Sequence, residues 1–264
     1  MTQPRTPRTG SIEFTDQVVV VTGGARGLGR SITEAFLREG ARVVVNHHRS
    51  ADAATALAAA HPGRAIAVKA DVRVRSEVDT LIERTHAAFD APVTTVVNNA
   101  LIEFSFDGDA RPHAHEIGYE AFAQQFSGSI QGAVNVIQAA LPDLAESGSG
   151  RVINVGTNLF QNPVVPYHDY TAAKAALLSV TRTFAADLGP RRIAVNMVSG
   201  GLLRTTDASA ATPEAVFDAI AAATPLREVT TPEQFADAVL FFASPWARAV
   251  TGQNLVVDGG LVSN

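Results

Sequence analysis

Residues 18–21 are four consecutive valines. A strand with apolar side chains on both faces leaves no face for water, so it belongs inside a sheet covered on both sides. Similar apolar runs recur at 43–45, 65–68, 93–97, 152–155, 193–198 and 255–257. Between them lie stretches with helical periodicity, such as 30–38, which stops at Gly40, and 78–89. Buried strands alternating with helices predict an α/β fold: a doubly wound parallel sheet in three αβα layers. No break in composition marks a second domain, so residues 14–264 are expected to form one. Residues 1–13 carry Pro4, Pro7 and Gly10 and lack the apolar core of a signal peptide. They read as a flexible tail. Two stretches, 100–118 and 204–229, do not fit the strand–helix rhythm. Each follows a strand, so each is expected to border the crevice at the carboxyl ends of the strands, where ligands bind in open parallel sheets.

The first strand runs into Thr22-Gly23-Gly24-Ala25-Arg26-Gly27-Leu28-Gly29, and a helix follows. Gly23, Gly27 and Gly29 allow a tight turn and close approach to a pyrophosphate, which the free N–H groups of the next helix can bind. A dinucleotide is therefore the expected ligand. An acid after the second strand would select NAD by binding the adenosine 2′-hydroxyl. This chain reads Asn46-His47-His48-Arg49-Ser50 there, and Arg26 lies in the glycine loop. Two arginines and no acid suit a 2′-phosphate, so NADP(H) is the expected cofactor.

Tyr170-Thr171-Ala172-Ala173-Lys174 puts a phenol and an ammonium at i and i+4, on one face of a helix. A nearby cation stabilises a phenolate, so the spacing predicts a Tyr170 pKa lowered toward neutrality and a usable proton donor or acceptor. Thirteen positions upstream, Thr157 follows an apolar run and supplies a hydroxyl that can point at the same carbonyl oxygen.

With these motifs together, the chain from about residue 14 onward resembles the short-chain dehydrogenase/reductase family, and within it the 3-oxoacyl-(acyl-carrier-protein) reductase-like group. Asp71-Val72, Asn98-Asn99-Ala100, Thr251-Gly252 and Val257-Asp258-Gly259-Gly260 carry the resemblance further. It implies a Rossmann fold and a homotetramer. It also implies that Asp71 and Val72 lie at the adenine, Asn99 and Ala100 along the cofactor, and Leu203 and Thr205 at the nicotinamide carboxamide. Lys174 would hold the nicotinamide ribose, while Tyr170 exchanges a proton with the substrate oxygen. Four positions depart from the family pattern. Thr157 stands for serine, Ser129 for the asparagine of a water relay to the lysine, Leu101 for glycine, and Gly200-Gly201 for Pro-Gly.

The expected activity is NADPH-dependent reduction of a ketone, with a 3-oxoacyl thioester as the substrate the resemblance suggests. Two alternatives stay open: oxidation of a secondary alcohol with NAD or NADP, and nucleotide binding with little turnover. Tyr167, next to Pro166, reads as a pocket wall. Phe104 and Phe106 either line the substrate pocket or pin their loop. His113 and His115 read as solvated loop residues, so no metal is expected. Phe241, Phe242 and Trp246 read as core or subunit interface. A net charge of −5 offers nothing to nucleic acid or an anionic membrane. No apolar run approaches the roughly 20 residues of a membrane span. The chain has no cysteine, which excludes disulfides and thiolate chemistry and is compatible with the cytoplasmic location expected here.

Overall fold

The computed structural model describes residues 13–104, 106–108, 110–204, 206, 209–210 and 212–263. Seven strands form one parallel sheet: β1 Val18–Val21, β2 Arg42–His47, β3 Ala65–Lys69, β4 Thr95–Asn98, β5 Arg151–Thr157, β6 Ala194–Gly200 and β7 Asn254–Val257. Their spatial order is β3-β2-β1-β4-β5-β6-β7. The chain winds outward from β1 in one direction and, after β3, from β4 in the other. The switch point between β1 and β4 opens a crevice at the carboxyl ends of the strands.

Both faces of the sheet are covered. Val19, Val21, Val43, Val45 and Ile153 join one core cluster with α1 (Gly27–Arg38), α2 (Ala51–Ala59) and α8 (Pro232–Ala243). Val18, Val20, Val44 and Val152 point the opposite way, into a second cluster with α3 (Arg75–Phe89), α5 (Gly132–Glu146) and α6 (His168–Leu188). This alternation within uniformly apolar strands is what the run of valines required.

Three elements differ from expectation. α2 has no clear amphipathic period in its alanine-rich sequence, and alanine's strong helix propensity forms it. β4 begins at Thr95 rather than Val93, although the Thr94 amide already donates to the Val18 carbonyl of β1. The Val93 amide donates to Asp143, and the Thr94 hydroxyl bonds Val18. The stretch 204–229 contains α7 (Glu214–Ala223). A continuous helical path runs from α4 (Tyr119–Phe126) into α5 through a π-helical turn at Ser127–Gln131. Such turns recur at functional sites, and this one holds Ser129. Phe242 is core, whereas Trp246 is 78% exposed and lies outside it. No described helix is long and apolar enough to cross a membrane.

Candidate active site

A single cavity of about 1040 Å³ runs along the carboxyl ends of the strands. That exceeds the roughly 300–1,000 Å³ of a pocket for one drug-sized ligand, leaving room for a dinucleotide and a small second molecule. Gly23, Arg26, Gly27, Leu28 and Gly29 line one end. Gly23 and Gly27 have φ of +62° and +49°, which favour glycine. A Cβ on Gly29 would stand 2.1 Å from the Gly23 carbonyl oxygen and 2.6 Å from Asn99 Nδ2. The loop is braced from two sides. Asn99 Nδ2 donates to the Thr22 carbonyl at 3.0 Å, and the Asn99 and Ala100 amides donate to the Thr22 hydroxyl. The Gly23 amide donates to Asn46 Oδ1. Asn46 thus holds the loop from the end of β2, a role sequence reasoning missed.

His47, His48, Arg49, Ser50, Asp71 and Val72 line the neighbouring part of the cavity. His47 is buried, and its Nδ1 has no hydrogen-bond partner among the described residues. Burial lowers its pKa, so it stays neutral there. Two charged residues not anticipated join this end. Arg73 grips Asp71 through both carboxylate oxygens, at 2.6 to 3.1 Å, and holds its pKa down to about 2. Glu103, with φ of +32°, reaches across from the 100–118 loop to pair with Arg49. The Asp-x-Arg spacing could have indicated Arg73. Nothing local in sequence pointed to Glu103, because its partner lies 54 positions away.

Thr157 is the last residue of β5, and Tyr170 and Lys174 lie in the first turns of α6; all three are buried and line the cavity. The expected lowering of the Tyr170 pKa is not what the structure gives. Burial pushes the phenol up to about 12, and the Thr157 hydroxyl only partly opposes this. The Lys174 Nζ stands 5.8 Å from the phenol ring centroid and donates to the Val155 carbonyl at 2.7 Å. Burial in turn lowers the Lys174 pKa to about 8. The pair therefore holds a protonated phenol, a proton donor at neutral pH. Ser129, Asn98, Thr22 and Lys174 border a separate small cavity of about 10 Å³, whose other walls include Val72, Ala100, Ala133 and Leu177.

Beyond Tyr170 the cavity is walled by rings. Phe104 stacks on Tyr170 with centroids 4.7 Å apart, and Phe106 and Tyr167 complete the set. Leu101 and Leu203 line the cavity, as do Gly200 and Gly201. Thr205 lies outside the described residues. His113 and His115 are exposed, with Glu116 3.7 Å from His115.

A family model described as enoyl-(acyl carrier protein) reductase matches residues 23–262. A 3-oxoacyl-[acyl-carrier-protein] reductase of Synechocystis is 33% identical, covering 94% of this chain and 98% of the relative. An NADPH-dependent aldehyde reductase of Arabidopsis thaliana is 30% identical, covering 92% and 93%. A short-chain type dehydrogenase/reductase of Picea abies is 32% identical, covering 93% and 92%. With its seven-stranded parallel sheet, glycine loop and Tyr–Lys helix, the chain belongs to the short-chain dehydrogenase/reductase family of oxidoreductases, which use nicotinamide cofactors.

Proposed function

We propose that the protein reduces a ketone to a secondary alcohol with NADPH, with Tyr170 as the proton donor. The observation that carries this is the buried, protonated Tyr170 beside Thr157, in one cavity with the glycine loop. When bound, the nicotinamide supplies the hydride that the carbonyl carbon receives. Tyr170 and Thr157 would donate hydrogen bonds to the carbonyl oxygen as negative charge grows there, and Tyr170 would pass its proton to that oxygen. Lys174, fixed by Val155, would orient the ribose and place a cation behind the phenol. Ser129 would support the lysine across the small cavity they share. The ring wall would shield the reacting carbonyl from water on the Phe104 side.

Gly23, Gly27, Leu28 and Gly29 would hold a pyrophosphate at the N-terminus of α1, where no side chain caps the helix and where a Cβ at position 29 would collide with the Gly23 carbonyl. Asp71 and Val72 would flank the adenine, with Asn99, Ala100, Leu203 and Thr205 further along the cofactor. The NADP preference is supported by Arg26 and Arg49 near the adenosine end, by Arg73 beside them, and by a β2 end without an acid. The Glu103 carboxylate on Arg49 sits where a 2′-phosphate would compete for the same guanidinium. The reductase names of two relatives agree with the direction of reaction.

The test is NADPH consumption across a ketone panel that includes an acetoacetyl thioester, with NADPH and NADH titrated in parallel. The expected result is turnover with NADPH. Arg49→Ala is expected to weaken NADPH binding about tenfold or more while leaving NADH binding nearly unchanged. Equal affinity of the unmodified protein for both cofactors would overturn the phosphate reading. Tight NADPH binding with no ketone consumed would favour a nucleotide-binding role without turnover.

A further inference from the structure

The half of the cavity beyond Tyr170 is built differently from the cofactor half. Among the described residues, the basic groups that line the cavity (Arg26, His47, His48, Arg49 and Arg73) sit at the glycine loop and the ends of β2 and β3, and Lys174 is committed to Val155. On the far side of Tyr170, the charged group on the wall is a carboxylate, Asp107. The rest of that wall is uncharged: Val164, Val165, Leu202, Val216 and Ile220 are apolar, and Asn162, Thr206, Ser209 and Thr212 are neutral polar groups among them.

Four rings form a connected set at its centre. Phe104 lies 4.9 Å from Phe106, 5.2 Å from Tyr167 and 4.7 Å from Tyr170. Phe106 lies 5.8 Å from Tyr167 and 5.4 Å from Tyr170. Phe104 and Phe106 come from the 100–118 loop, which contains no described helix or strand. What fixes them is an ion pair at the start of α6. Arg111 grips both carboxylate oxygens of Asp169 at 2.5 and 2.6 Å, and both side chains are largely buried. The Arg111 guanidinium also lies over the Phe104 ring, 4.4 Å from its centroid. Asp169 immediately precedes Tyr170. The helix that presents the phenol therefore also anchors the rings that cover it.

We propose that the substrate is an uncharged ketone whose carbonyl is attached to a flat aromatic ring, seated against Phe104, Phe106 and Tyr167, and that Arg111–Asp169 is the positioning pair that holds this wall over Tyr170. A flat ring joins the set by the edge-to-face and offset stacking its members already use. A carboxylate or a phosphate-bearing carrier would meet no described cation lining that wall, which disfavours it. The inference rests on the ketone-reduction reading and refines it.

The test compares aryl ketones with alkyl ketones of equal carbon number, with NADPH, in the unmodified protein and in Phe104→Leu, Phe106→Leu and Arg111→Lys variants. The expected kcat/KM for aryl ketones exceeds that for alkyl ketones by about tenfold or more. Each leucine variant should remove most of that preference, mainly by raising KM for the aryl series. Arg111→Lys keeps the charge but loses the planar fork, so it should lower the aryl-to-alkyl ratio without unfolding the protein. Equal kcat/KM for the two series, or an unchanged ratio in all three variants, overturns the inference and leaves ketone reduction standing. If no ketone is reduced, the reduction reading falls. The ring site is then tested by calorimetric titration of the matching aryl and alkyl alcohols into the protein with NADP⁺. Tighter aryl binding, lost in Phe104→Leu, supports it, and equal affinities overturn it.

Discussion

Tyr170 and Lys174 show how burial and charge compete at single residues. Spacing alone suggests that the ammonium lowers the phenol's pKa. Here both groups are buried, and desolvation acts on each in the direction of its neutral form: the tyrosine up to about 12, the lysine down to about 8. The consequence for reduction has a definite sign. Tyr170 must hold its proton to donate it, and it does so to about pH 12. Lys174 loses its charge as pH rises through about 8. The kcat/KM for reduction is therefore expected to fall on an alkaline limb near pH 8, read from initial rates over a pH series. A profile flat through pH 8 and falling only toward pH 12 would contradict a role for the lysine charge. Stability runs the other way. The cost of burying a charged Lys174 is fully present below pH 8 and is relieved as pH rises toward the ordinary lysine value of 10.5. Much of the candidate site was legible at this scale. Gly23, Gly27, Gly29, Asp71, Asn99, Thr157, Tyr170 and Lys174 all line the one cavity. Glu103, Arg111 and Asp169 were not legible, since each acts through a partner more than 50 positions away. The lowered tyrosine pKa was misjudged because spacing carries no measure of burial.

At the scale of elements, strands announced themselves through continuous apolar runs, and their ends were recoverable to within a few residues. α2 escaped because helices made largely of alanine bury little and show no period. The π-helical turn at Ser127–Gln131 escaped because no residue pattern encodes an i to i+5 hydrogen bond. α8 shows local and global signals agreeing. The Thr231 hydroxyl accepts from the Gln234 amide, the Gln234 side chain accepts from the Thr231 amide, and Pro232 opens the helix. This helix packs Phe235, Val239 and Phe242 into the core cluster that contains the glycine-loop helix α1. Thr231→Ala is expected to cost about 1 kcal/mol and to lower Tm by about 2–4 °C, measured by calorimetry. An unchanged Tm would mean that tertiary packing alone sets this helix.

Across the whole molecule, the two proposed functions of the cavity draw on separate parts of the chain. The proposed cofactor half is built from the ends of β1 to β4, with the glycine loop braced by Asn46, Thr22 and Asn99. The proposed reactive half is built from the end of β5, the start of α6 and the aromatic wall. The doubly wound sheet brings them together at its switch point, as the alternation of buried strands and helices required. Because the halves share few side chains, a change confined to the phenol oxygen should separate chemistry from binding. The most direct measurement is made on Tyr170→Phe, with NADPH affinity by fluorescence titration and ketone turnover by absorbance. The expected result is an NADPH Kd within about twofold of the unmodified protein, with turnover lower by about a hundredfold or more. Full activity in this variant would contradict the assignment of Tyr170 as proton donor.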